Sequence, residues 1–115
     1  MTLCKPGDIV HAPFPHVERA VLVRRPGLFL CGHDTGDARV GPLAWLMMIT
    51  SAERPRWRGD LDVPHAEALG LIIPSRVRTA KVATVTVSDL VRIGRMDEGV
   101  LAQARSLVLD SLRVS

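Results

Sequence analysis

Residues 43–49, Leu-Ala-Trp-Leu-Met-Met-Ile, are apolar without a break and run straight into Thr50 and Ser51. The stretch is too short to cross a bilayer, which takes about 20 residues. It is bounded by Gly41-Pro42 and by the polar turn Ser51-Ala52-Glu53-Arg54-Pro55. A buried strand fits it best. Alternation places Leu43, Trp45, Met47 and Ile49 on one face and Ala44, Leu46, Met48 and Thr50 on the other, so neither face suits water. One face can line a small barrel, and the other needs a helix or a second subunit. At its end the strand carries the hydroxyls of Thr50 and Ser51 to the rim of the fold.

At 115 residues the chain reads as one domain, able to fold alone or as a dimer. Hydrophobic residues make up 47% of it and aromatic residues 3%, so the core has to be built from Val, Leu, Ile, Met and Ala. Cys4 and Cys31 are too few for a disulfide framework, and Lys5, Pro6 and Asp8 interrupt any leader-like apolar run. A reduced, cytoplasmic protein with no membrane partner is expected. A net charge of +3 and a pI near 9.5 lean towards anionic partners, whether nucleic acid, acidic protein segments or solvent ions. No metal or cofactor is expected. Cys31-Gly32-His33 lacks two further ligands, and His11, His16, His33 and His65 follow no ligand spacing. There is no phosphate-binding glycine loop and no nucleophile elbow.

In order along the chain, Lys5-Pro6-Gly7-Asp8 is a turn, and residues 9–14 form a strand whose Pro13 places it at an edge, a bulge or a frayed end. Residues 16–23 read as a loop and 26–31 as the second strand, with the basic pair Arg24-Arg25 at its mouth. Residues 32–41 make a hairpin-like connection into the apolar strand. After Ser51, three arginines, Arg54, Arg56 and Arg58, flank Trp57. Such a loop can stack on a base, or it can be a solvated loop whose tryptophan folds back on the barrel. Residues 61–63 form a short strand, 66–70 a helical turn or irregular stretch, and 75–85 a strand rich in β-branched residues. On a regular strand Arg76 and Arg78 share a face, with Lys81 opposite unless a bulge intervenes. A last strand covers 91–95. Asp97 then caps an amphipathic helix with apolar residues at Val100, Leu101, Ala104, Leu107, Val108 and Leu112.

Taken together, Lys5-Pro6-Gly7-Asp8-Ile9-Val10, Pro13-Phe14-Pro15, Arg25-Pro26, Ile49-Thr50-Ser51 and the segment from Gly70 through Pro74-Ser75-Arg76-Val77-Arg78-Thr79 resemble the PemK/MazF toxins of type II toxin-antitoxin systems. The resemblance covers nearly the whole chain as a single toxin domain. It implies an SH3-like antiparallel β-barrel with a C-terminal helix, working as a homodimer. The implied activity is a metal-independent endoribonuclease that cuts single-stranded RNA, mRNA included, and leaves a 2′,3′-cyclic phosphate. The implied partner is an acidic, partly disordered antitoxin, with operator DNA bound, if at all, only by the toxin-antitoxin complex.

Residue by residue, the resemblance carries onto Arg25 as the catalytic arginine and Thr50 as its hydroxyl partner. An arginine stays protonated at any working pH, so charge stabilisation of the phosphate is its natural role. His16 falls in the loop where part of the family uses a histidine, and imidazole suits proton transfer. Ser51, Arg56, Trp57, Arg58, Arg76 and Arg78 are candidate RNA or antitoxin contacts, in a groove with Arg54 and Lys81. Ser75 stands where some members carry an acidic residue, and a serine cannot act as a carboxylate base. The alternative is therefore a catalytically inactive SH3-like module that binds nucleic acid or a peptide.

Overall fold

The computed structural model describes residues 4–15 and 22–113. In order they form β1 (Asp8–Pro15), β2 (Leu22–His33), β3 (Leu43–Ser51), β4 (Asp60–Asp62), a 3-10 turn (Ala66–Leu69), β5 (Ser75–Thr86), a second 3-10 turn (Val87–Asp89), β6 (Val91–Arg95) and α1 (Glu98–Leu112). The strands build one antiparallel sheet in the order β4-β5-β3-β2-β1-β6. The chain is thus mainly β with one C-terminal helix, as its patterning predicts. Among the described residues, no helix is long and apolar enough to cross a membrane.

The apolar run is the strand between β2 and β5, and its two faces feed two separate clusters. Met47 and Ile49 pack with Ile9, Leu28, Val63, Leu71, Val77 and Met96, covered by Val100, Leu101 and Ala104 of α1. Ala44, Leu46 and Met48 pack with Val10, Ala12, Phe14 and Phe29, covered by Val87 and Leu90. Trp45 departs from this pattern at 42% exposed, its ring lying 4.5 Å from the His33 imidazole, centroid to centroid.

Helix α1 begins where expected, the Asp97 carboxylate accepting from the Val100 N–H at 3.1 Å. Only the first half of its apolar stripe is covered. Leu107 and Val108 are half-buried and Leu112 is exposed.

β2 starts four residues earlier than its sequence pattern suggests, because β1 pairs with it as far as Pro15 opposite Leu22 and draws Val23, Arg24 and Arg25 into the ladder. Pro13 is tolerated because β6 pairs with β1 only as far as His11, so nothing on that side needs its missing N–H. In β5 a bulge does intervene. Val82 opposes Met47 but Arg78 opposes Met48, so residues 79–81 are looped out and simple parity between Arg78 and Lys81 fails.

β4 and β6 are the edges and do not pair, so the sheet curls around the first cluster without closing into a full barrel. The Ala66–Leu69 turn sits in the gap. A Cβ added to Gly94 on β6 would meet the carbonyl of Leu69, and one added to Gly70 would meet the carbonyl of Ile93. Backbone approaches backbone there, and neither side can swing away. Gly94→Ala should therefore lower stability in urea unfolding by about 2–3 kcal/mol. Gly36→Ala, at φ +71 but with open space around it, should cost only about 1 kcal/mol. Equal effects at the two positions would refute this account of the seam.

Candidate functional site

β2 and β3 run antiparallel with Gly27 opposite Met48. That ladder ends there, and just beyond its end Arg25 and Thr50 line the same cleft. On its other side β3 places Thr50 opposite Arg76 and Ser51 opposite Ser75, while β1 places His11 opposite Pro26. These ladder ends open on one cleft of about 460 Å³. Its polar lining consists of Arg24, Arg25, Arg54, His11 and the residues Thr50, Ser51 and Ser75; Pro26, Ile49, Leu71, Ile72 and Ile73 give it an apolar wall. A depression of about 70 Å³ adjoins it, sharing Arg25, Ile49, Thr50 and Arg54 and adding Met48, Arg78 and Lys81. The β5 bulge is what brings Lys81 there. Among the described residues, no aspartate or glutamate lines either hollow. A separate hollow of about 450 Å³ beside the Ala66–Leu69 turn has the opposite character, lined by Glu67 and His65 without an arginine or lysine.

The arginines of this region fall into two groups. Arg78 is buried and forms a two-point pair with Asp60, Nε to Oδ1 at 3.3 Å and a terminal nitrogen to Oδ2 at 3.0 Å. It also donates to the Pro55 carbonyl at 2.7 Å and lies 3.9 Å from the centre of the Trp57 ring. Arg56 and Arg76 share the Asp62 Oδ1 oxygen at 2.7 and 3.2 Å, and Arg76 donates to the Arg54 carbonyl at 3.1 Å. Burial alone would raise the Asp60 carboxyl, but hydrogen bonds from Arg78 and the Trp57 N–H, with the charges of Arg78 and Arg56, outweigh it and hold the group below its ordinary range. Hydrogen bonds from Arg56 and Arg76 hold Asp62 down as well. By contrast, no ion pair among the described residues engages Arg24, Arg25, Arg54 or Lys81. Arg24 donates to the Asp89 carbonyl at 3.4 Å. Like charges gathered without a counter-ion repel, and an anion in the cleft relieves that repulsion.

No family model matches the sequence, and no curated protein matches it. Solved structures do. A chain from the crystal structure of MazE-MazF (form II) of Deinococcus radiodurans superposes over 100% of both chains, with a TM-score of 0.68 and 18% sequence identity. The fold is MazF-like. At that identity the likeness is one of architecture, so what the side chains can do has to be read from the cleft.

Within this MazF-like frame Arg25, Thr50, Ser51 and Ser75 meet in the cleft. Two of the hydroxyls are engaged locally: Ser51 Oγ accepts from the Glu53 N–H at 3.1 Å and Ser75 Oγ donates to the Ile73 carbonyl at 2.7 Å. Arg56, Arg76 and Arg78 are held in the pairs just described, where they anchor residues 53–60. Trp57 keeps 45% of its surface exposed with Arg78 over its ring, and Arg58 is exposed on the same loop. His16 lies outside the described residues. The cleft also takes in His11, Arg24, Ile72 and Ile73, which sequence reasoning did not select. The Arg24-Arg25 pair was a visible signal for Arg24, but His11 depends on strand register and had none. Cys31 Sγ and His33 Nε2 come within 3.4 Å but form only a pair, and no group of three potential metal-ligating side chains gathers among the described residues.

The Asp60–Arg78 pair has a calculable consequence. Asp60→Ala strands a buried guanidinium and should cost about 3–5 kcal/mol. Because the folded-state pKa of Asp60 lies below the unfolded value of about 3.9, its contribution is fully present above about pH 4 and is lost as pH falls through the folded value. Urea unfolding followed from pH 6 downward should show that decline, and Asp60→Asn should flatten it.

Proposed function

We propose that this chain is the toxin of a type II toxin-antitoxin pair, acting in the cytoplasm as a metal-independent endoribonuclease on single-stranded RNA such as mRNA. The observation that carries the reading is a cleft in which, among the described residues, three arginines have no ion-pair partner, hydroxyl residues stand at the end of β3 and no carboxylate takes part in the lining. Cleavage of this kind needs a proton acceptor at the 2′-hydroxyl, positive charge on the phosphoryl oxygens, and relief of charge on the leaving 5′ oxygen. Arg25 supplies the charge and Thr50 orients the phosphate from the facing strand, with Arg24, Arg54 and Lys81 holding the neighbouring phosphates. His16 is carried over from the family resemblance alone as a further catalytic residue. The MazE-MazF likeness supports an antitoxin partner, here an acidic segment with apolar side chains. Its carboxylates would meet the free arginines, and its apolar residues would meet Ile72 and Ile73, which are 87% and 49% exposed. A homodimer would extend the cleft across two copies.

One observation favours a second reading, a binding module without catalysis. Ser75 stands where a carboxylate base would help, and its hydroxyl is already spent on the Ile73 carbonyl.

The two readings part in one assay. Purified protein in excess chelator should cleave a mixed-sequence single-stranded RNA to 2′,3′-cyclic phosphate ends. Arg25→Ala should lose about 10²–10³ in rate, the scale for removing one stabiliser of transition-state charge, while keeping most of its RNA affinity. RNA bound but left intact by the folded wild type would make the chain a binding module.

A further inference from the structure

We infer that His11 is the proton acceptor of the cleft, an inference that rests on reading the cleft as a ribonuclease site. The residue is interior to β1, where alternation sends Val10 and Ala12 into one buried cluster and Ile9 into the other. His11 follows Ile9 on its face, just past the end of that cluster, with Pro26 of β2 and Val91 of β6 as backbone partners. There it is half-buried and lines the cleft together with Arg25 and Thr50.

The assignment follows from what each polar group in the cleft can do. The arginines are protonated at any working pH and have no lone pair to offer. The hydroxyls of Thr50, Ser51 and Ser75 can donate or accept hydrogen bonds but cannot hold an extra proton near neutrality. No carboxylate among the described residues lines the cleft. Among the described residues of the cleft, imidazole is the one side chain able to take up a proton and release it again under physiological conditions.

The 2′-hydroxyl gives its proton to a ring nitrogen of His11 as the bond from the 2′ oxygen to phosphorus forms. The bond from phosphorus to the 5′ oxygen breaks, and that oxygen takes a proton from water. The imidazolium then returns its proton to the solvent. The products are a 2′,3′-cyclic phosphate and a 5′-hydroxyl end, with Arg25 stabilising the phosphoryl charge throughout.

The test compares wild type, His11→Ala, His11→Gln and Arg25→Ala on single-stranded RNA in chelator, with and without added imidazole. Affinity is measured in parallel on a non-cleavable 2′-deoxy strand. Both His11 variants should slow cleavage by about 10²-fold or more while binding the deoxy strand as wild type does. Imidazole should restore part of the His11→Ala rate and none of the Arg25→Ala rate. Wild-type cleavage that persists in both His11 variants overturns the inference and leaves the ribonuclease reading standing. A loss that imidazole does not repair, or that follows a loss of affinity, overturns it as well. RNA left intact by the wild type overturns the ribonuclease reading itself, and the inference with it.

Discussion

Both faces of β3 have to be kept from water, and the arrangement of the other elements follows from that. Leu46, Met47, Met48 and Ile49 are each 6% exposed or less. At about 1.5–3 kcal/mol for each buried side chain, the four together rival the net stability of a typical domain, ~5–15 kcal/mol. No one element can cover both sides. Helix α1 and the first 3-10 turn close over Met47 and Ile49, while β1, Phe29 and the second 3-10 turn close over Leu46 and Met48. The strand therefore sits deep in the sheet with a hydrogen-bonded neighbour on each side, and only its end emerges. Thr50 and Ser51 are at that end, held by the ladder to β5, which is why two otherwise ordinary hydroxyl residues sit on a rigid rim.

Charge is sorted by the same topology. β4 is only three residues long, yet its register sets Asp60 opposite Arg78 and Asp62 opposite Arg76, and those are the pairs that form ion pairs. A buried pair of this type is weak as a source of net stability but strong in fixing geometry. Here it fixes residues 53–60, since Arg78 and Arg76 also bind the carbonyls of Pro55 and Arg54. The carboxylates of β4 are used up in this way, on the far side of β5 from the cleft. Arg24, Arg25 and Arg54 line the cleft with no acidic neighbour among its described lining residues. Paired arginines thus position the loop, and the cleft arginines, without an ion-pair partner among the described residues, give its lining a positive charge.

Much of the fold was legible from side-chain periodicity. The double-faced apolar run, the β-branched stretch at β5 and the Asp97 cap with its helical stripe each specify an element locally, and each formed where the pattern placed it. The misses have physical causes. β2 extends back to Leu22 because pairing with β1, a long-range contact, overrides the turn-like look of the basic residues before Pro26. The SH3-like antiparallel barrel implied by the family resemblance takes the form of a curled sheet whose edges β4 and β6 stay unpaired, with the Ala66–Leu69 turn packed against β6. At the cleft, Arg25 and Thr50 were reached through a resemblance, Arg24 was signalled by its place in the basic pair with Arg25, and His11 became visible only through register. A sequence offers no means of telling an arginine with a carboxylate partner from one without.

By itself the sequence determined the chemistry available and the local elements: a core of aliphatic and methionine side chains, a strand that must be buried on both faces, a capped helix, and a supply of arginines and hydroxyls. These are properties of residues and their near neighbours. Only the tertiary structure decided which of those groups meet. The antiparallel ladders set Thr50 against Arg76 and His11 beside Pro26, Arg25 and Thr50 came to line one cleft, and the bulge at residues 79–81 put Lys81 in the depression beside it. Register across a sheet depends on contacts between distant segments, where a shift of one residue reverses every side chain. Whether a charge is spent inside the fold or left for a partner therefore depends on how the strands are paired.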